Sequence, residues 1–175
     1  MHTLIFLNGD PPSEEVISYF LKESNYIIAA DGGANYLKSA DLCPDVIIGD
    51  LDSVKKETLS FFRERVKIIK IRDQNTTDFE KCLLYCVREK RKKVIVFGIS
   101  GDRIDHTLNN FSILKRYYRK LDIRLISGDF EMFFINKKIT FPYRKKEIVS
   151  LLGLPKAIKI NNKEIKKKHK DMALE

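Results

Sequence analysis

With 175 residues, 43% of them hydrophobic and 33% charged, the chain has the size of one globular domain with at most a small appendage, and no run of roughly 18 apolar residues that would cross a membrane. The formal net charge is +9, yet residues 1–136 hold 21 Lys and Arg against 20 Asp and Glu, whereas residues 137–170 hold 12 against 2. No aromatic residue interleaves the basic run NNKEIKKKHK, so the excess reads as a solvated tail and argues against a nucleic-acid partner.

The first apolar run, TLIFLN (3–8), predicts a strand. The opening MHTLIFLNGD lacks a basic n-region and its apolar run is too short for a signal peptide, which makes the cytoplasm the default location. GDPPSEE then offers Ser13 as a cap for a helix over Glu14 to Lys22, with Val16, Ile17, Phe20 and Leu21 on one face. Further strands are predicted at YIIAA (26–30), VIIG (46–49), VKIIKI (66–71), VIVFG (94–98) and IRLI (123–126). Helical spacing recurs over Thr77 to Glu89, through Phe79, Cys82, Leu83, Cys86 and Val87, and over Ile104 to Lys120, through Leu108, Phe111, Leu114 and Tyr118. Strands alternating with helices, and apolar on both faces, predict an α/β fold: a Rossmann-like, doubly wound parallel sheet over residues 1–126. After Gly128 the runs EMFFI, KITF, EIVSLL and AIKI follow without a helix-length segment between them. They predict a small all-β, sandwich-like domain over 127–175, truncated relative to a full sandwich. Cys43, Cys82 and Cys86 form no zinc pattern and read as reduced thiols.

Five of the six apolar runs end in acid. Asp10, Asp31, the pair Asp50 and Asp52, then Asp73 with Asp78, and Asp102 with Asp105 all follow a predicted strand, and glycines share those turns. Ligands of open α/β sheets bind beyond the carboxyl ends of the strands. Carboxylates crowded there raise one another's pKa unless a cation lies among them, and Mg²⁺ is the hard cation such oxygens suit. Asp10 fits helix capping and the site equally; Asp50, Asp52 and Asp73 favour the site. GISGDR (98–103) joins a strand to a helix and has the makings of a phosphate cradle: Gly98, Gly101, a helix start and Arg103. His106 suits a ligand contact and a polar helix start equally.

Taken together, ADGGAN (30–35), PDVIIGDLDS (44–53), DQNTTDFEKCL (73–83) and GISGDRIDHTLNN (98–110) resemble the thiamine pyrophosphokinase family. The resemblance implies a nucleotide-binding α/β domain followed by a β-sandwich, a homodimer, and Mg²⁺-dependent transfer of the pyrophosphoryl group of ATP to the hydroxyl of thiamine. It implies metal ligands Asp50, Asp52, Asp73 and Asp78. It also implies nucleotide or thiamine contacts from Asp31, Gly32, Gly33, Asn35, Thr77, Gly98, Gly101, Arg103, Asp105, His106 and Asn109. Arg103 would stabilise phosphate charge, and Asp73 or Asp105 would take the acceptor's proton. Two features depart from the family. Asp102 stands where a second glycine is usual, and no match to the family's later second-domain motifs follows FPYRKKEIVSLLGLP. A metal-dependent phosphohydrolase, a pyrophosphokinase with another acceptor, and a nucleotide-binding module without turnover are the alternative readings of the same acidic edge.

Overall fold

The computed structural model describes residues 1–73, 75–101, 104–128, 130–135, 148–150 and 153. Seven strands form one sheet: β1 (His2–Phe6), β2 (Ser24–Ala30), β3 (Val46–Gly49), β4 (Lys67–Lys70), β5 (Lys93–Phe97), β6 (Asp122–Ile126) and β7 (Glu131–Met132). Their spatial order is β4-β3-β2-β1-β5-β6-β7. The first six run parallel, and β7 turns back antiparallel along β6. Five helices connect the parallel strands: α1 (Glu14–Lys22), α2 (Gly33–Ser39), α3 (Lys56–Phe62), α4 (Asp78–Arg88) and α5 (Ile104–Tyr117).

Alternation along the strands builds two cores, one on each face of the sheet. Leu4, Phe6, Ala29, Ile47, Ile95 and Phe97 pack with Ile17 of α1, Ala34 and Leu37 of α2, and Phe62 of α3. Ile5, Ile28, Val46, Ile48, Val94 and Val96 pack with Phe79, Cys82, Leu83 and Cys86 of α4 and Ile113, Leu114 and Tyr117 of α5. Runs of apolar residues without polar alternation are thus explained: both faces are covered, as the doubly wound reading requires. Cys82 and Cys86 are free and buried in this second core.

The chain steps outward from β1 to β4, then returns to place β5 on the other side of β1. The reversal lies between β1 and β5, where α/β sheets hold ligands. Here the two following loops are laced together, Gly9 N–H donating to Gly98 O at 3.1 Å and Asp10 N–H to Ser100 O at 2.7 Å. Gly98 adopts φ +70°, and a Cβ there would lie 2.6 Å from Leu7 O, so the close approach requires glycine.

Backbone proximity divides the chain into Met1–Lys137 and Lys138–Glu175. Residues 131–132 of EMFFI therefore belong with the sheet, as β7. The strands expected at KITF and AIKI lie outside the described residues, as do Glu147, Leu151 and Leu152 of EIVSLL, while residues 148–150 of that run are not in a strand.

Candidate active site

Three strand-end or helix-start positions bring carboxylates together. Asp31 follows β2, Asp50 follows β3, and Asp78 is the first residue of α4. Helix α4 packs across β2 and β3, so its N-terminus meets the ends of those two strands. One oxygen from each carboxylate lies within 4.8 Å of the other two.

Asp31 is the most deeply set, only 3% exposed. Its backbone N–H continues the β2–β3 ladder by donating to Ile48 O at 2.9 Å. The residue then takes a left-handed φ of 44°, a region that Asp tolerates better than most side chains. Ser53 N–H donates to Oδ2 at 3.2 Å, whereas Oδ1 is buried with no hydrogen-bond partner among the described residues. Burial, followed by the charges of Asp78, Asp52 and Asp50, pushes its pKa up to about 6 despite the Ser53 bond. An unpartnered carboxylate oxygen facing two further carboxylates is an arrangement that a hard divalent cation resolves. The donor set is all oxygen, which fits Mg²⁺ and not a thiolate-seeking metal.

Gly49 lets Asp31 stand beside β3. A Cβ at residue 49 would lie 2.7 Å from the Asp31 Cβ, closer than carbon atoms pack. Gly49→Ala is therefore expected to displace Asp31 and destabilise the fold by about 1–3 kcal/mol, measured by denaturant unfolding. Divalent-ion affinity should fall with it.

Asp50 and Asp52 are neighbours in sequence, but only Asp50 belongs to the three-carboxylate group among the described residues. Leu51 between them has φ 68°, which costs a bulky residue about 1–2 kcal/mol and turns the chain sharply. Asp52 N–H donates back to Asp50 Oδ1 at 3.2 Å, and the exposed Asp52 carboxylate accepts from Ser53 Oγ at 2.9 Å. Asp73 is likewise not among the three converging carboxylates. It is exposed and caps its own turn, accepting from Asn75 N–H at 2.9 Å, Asn75 Nδ2 at 3.0 Å and Thr76 Oγ1 at 2.9 Å. These bonds hold its pKa below the usual carboxylate value.

The remaining expected residues divide by role. Asn35 braces the loop after β3, its Nδ2 donating to Ser53 O at 2.9 Å and its Oδ1 accepting from Lys55 N–H at 3.0 Å. Thr77 caps α4 through Oγ1, which accepts from Glu80 N–H at 3.2 Å. Gly32 and Gly33 are buried at the start of α2. Gly98 and exposed Gly101 lie in the loop after β5, and Asp105, His106 and Asn109 are exposed on the first turns of α5. Arg103 and Asp102 lie outside the described residues.

Two residues not singled out from sequence shape the site. Glu80 is buried and accepts from Arg116 Nη1 at 2.6 Å and Tyr117 Oη at 2.9 Å, tying the first turn of α4 to the last turn of α5. Lys81 is buried and donates from Nζ to Asp78 Oδ1 at 2.9 Å. Beside them lies a cavity of about 250 Å³, lined by Ile69, Ile71, Asp73, Thr76, Lys81 and Leu84 among others. The i,i+3 spacing of Asp78 and Lys81 was a readable signal. Glu80 also carried one, as the fourth residue of a Thr-x-x-Glu capping pattern, although its carboxylate serves α5 instead.

The model of the thiamin pyrophosphokinase catalytic domain matches residues 17–127. A thiamin pyrophosphokinase 1 of Caenorhabditis elegans is 28% identical over 86% of this chain and 72% of its own length. A thiamine pyrophosphokinase 1 of Arabidopsis thaliana is 33% identical over 66% of this chain and 51% of its own. The chain thus spans about half the length of the plant relative. The crystal structure of yeast thiamin pyrophosphokinase superposes with a TM-score of 0.65 at 20% identity, over 71% of this chain and 58% of that one. That likeness speaks to the fold.

Proposed function

Since the chain belongs to the thiamin pyrophosphokinase family, we propose that it transfers the pyrophosphoryl group of ATP to the hydroxyl of thiamine, releasing AMP. The observation that carries this reading is the convergence of Asp31, Asp50 and Asp78 at the carboxyl edge of the sheet. Mg²⁺ held there would neutralise triphosphate charge and polarise the phosphorus under attack. Asp31, Asp50 and Asp78 would hold it. Asp52 and Asp73, the other two expected ligands, would add negative charge around it.

The other residues bind and orient. Backbone N–H groups of the Gly98–Gly101 loop and the start of the fourteen-residue α5 favour phosphate oxygens. Arg103 adds a full positive charge to that cradle. His106 and Asn109 follow on the same helix and contact nucleotide or thiamine, as do Gly32, Gly33 and Asn35 through the loops they shape. Of the two proton acceptors considered, Asp73 is the weaker base because three hydrogen bonds stabilise its charged form. Asp105 is the other candidate.

A homodimer, a cytoplasmic location and a β-sandwich contribution from residues beyond the sheet complete the proposal. No described helix is long and apolar enough to cross a membrane. The test is mass spectrometry of the products of Mg-ATP with and without thiamine. Thiamine diphosphate and AMP formed only with thiamine are expected. Thiamine-independent phosphate release would instead indicate a hydrolase, and tight ATP binding without AMP an inert module.

A further inference from the structure

Lys81 is 4% exposed, and lysine is rarely buried so far without a partner that keeps it charged. That partner is Asp78, whose Oδ1 accepts from Nζ at 2.9 Å one helical turn away. The position of the ammonium is fixed twice over. Its stem lies in the second core side of α4 and along the cavity lined by Ile69, Ile71 and Leu84, while its head is bonded. Its charge reaches beyond Asp78 and helps to hold Asp73 ionised.

Asp78 is also one of the three carboxylates that converge with Asp31 and Asp50. One carboxylate therefore bonds a fixed cation and also belongs to the cation site. A divalent ion entering alone must do so against a nearby ammonium that does not withdraw, in surroundings where water screens poorly. A divalent ion entering with a polyphosphate brings its own negative charge, which the ammonium attracts. Building on the metal reading given above, we propose that Lys81 is a positioning residue: a resident counter-ion that keeps the affinity for free divalent ions low and favours loading of the metal together with nucleotide phosphate.

The proposal is tested by titrating Mn²⁺, followed by its electron paramagnetic resonance, into the wild-type chain and into Lys81→Met, Lys81→Gln and Lys81→Arg. Each is measured alone and with a non-hydrolysable ATP analogue, and folding is checked by circular dichroism. The two neutral variants should bind Mn²⁺ alone about tenfold more tightly than wild type. The gain in Mn²⁺ affinity on adding nucleotide should shrink by a similar factor. Lys81→Arg, which keeps the charge, should behave as wild type. Unchanged or weaker Mn²⁺ binding by folded Lys81→Met and Lys81→Gln overturns the proposal. Should the unpaired Asp78 prevent folding, Asp78→Asn is compared with Asp78→Asn/Lys81→Met, a neutral pair that leaves no buried charge unmatched; the double variant is expected to bind Mn²⁺ more tightly than the single, and equal affinity counts against Lys81. Asp50→Asn separates the two levels of the argument. If it leaves Mn²⁺ binding intact, the metal reading fails; if it weakens binding while the Lys81 variants do not strengthen it, only the role of Lys81 fails.

Discussion

Asp50→Asn is expected to lower thiamine-dependent AMP formation by about 10²–10³-fold, the usual cost of removing one preorganised electrostatic group from a phosphoryl-transfer site. Stability should change by less than about 1 kcal/mol, because the asparagine oxygen can still accept from Asp52 N–H. Asp78→Asn should lose turnover to a similar extent but should not be silent in folding. It leaves the buried Lys81 ammonium with a neutral acceptor in place of a carboxylate, so a loss of about 1–3 kcal/mol is expected. Steady-state kinetics alongside urea denaturation distinguish the two. Rates within tenfold of wild type for both variants would contradict the metal assignment.

Asp31→Asn should stabilise the metal-free protein while removing metal binding. The folded-state pKa of Asp31 is raised from 3.8 to about 6. Stability associated with its neutral carboxyl is therefore fully present below about pH 4 and is lost as the pH rises through about 6. Above that, the folded chain carries a buried charge that the unfolded chain solvates freely. Asparagine carries no such charge. The variant should be more stable than wild type by about 1–2 kcal/mol at pH 7–8, after allowance for solvent screening, and the two should converge near pH 4. Added Mg²⁺ should raise the wild-type Tm and leave that of Asp31→Asn unmoved. Urea unfolding between pH 4 and pH 8, with and without Mg²⁺, measures both effects. A wild-type protein more stable than the variant at pH 8 without metal would contradict the burial argument.

The parallel sheet was legible because its strands are covered on both faces. VIIG and VIVFG read as strands from unbroken apolar runs, and the structure gives β3 and β5 within a residue of those bounds. Helices α1, α4 and α5 were legible because each has at least two turns of apolar spacing. Helices α2 and α3 were not. Each has seven residues; α2 opens on glycine, and α3 buries only Thr58 and Phe62, so neither offers enough period to recognise. Tertiary packing, not local propensity, makes them helical.

At the site, sequence showed which acids gather at the sheet edge but not which of them converge. Asp50 and Asp52 suggested a pair by spacing alone. The left-handed turn at Leu51 between them leaves no mark in a sequence without glycine at that position. Asp31 was read with the glycines that follow it, as a nucleotide or thiamine contact, whereas its carboxylate lies with Asp50 and Asp78. Its partners, after β3 and at the start of α4, lie 19 and 47 residues further along the chain, a distance only topology bridges. Lys81 showed in sequence only its i,i+3 spacing from Asp78, not its burial. A lysine in an amphipathic helix reads as a solvated face, and its burial depends on β4 and the cavity beside it.

The most direct measurement of the whole account is the anomalous scattering of Mn²⁺ in crystals grown with a non-hydrolysable ATP analogue. The account predicts a peak in contact with oxygens of Asp31, Asp50 and Asp78, bridged to nucleotide phosphate. Ordered nucleotide with manganese bound elsewhere, and none touching those three side chains, would contradict it.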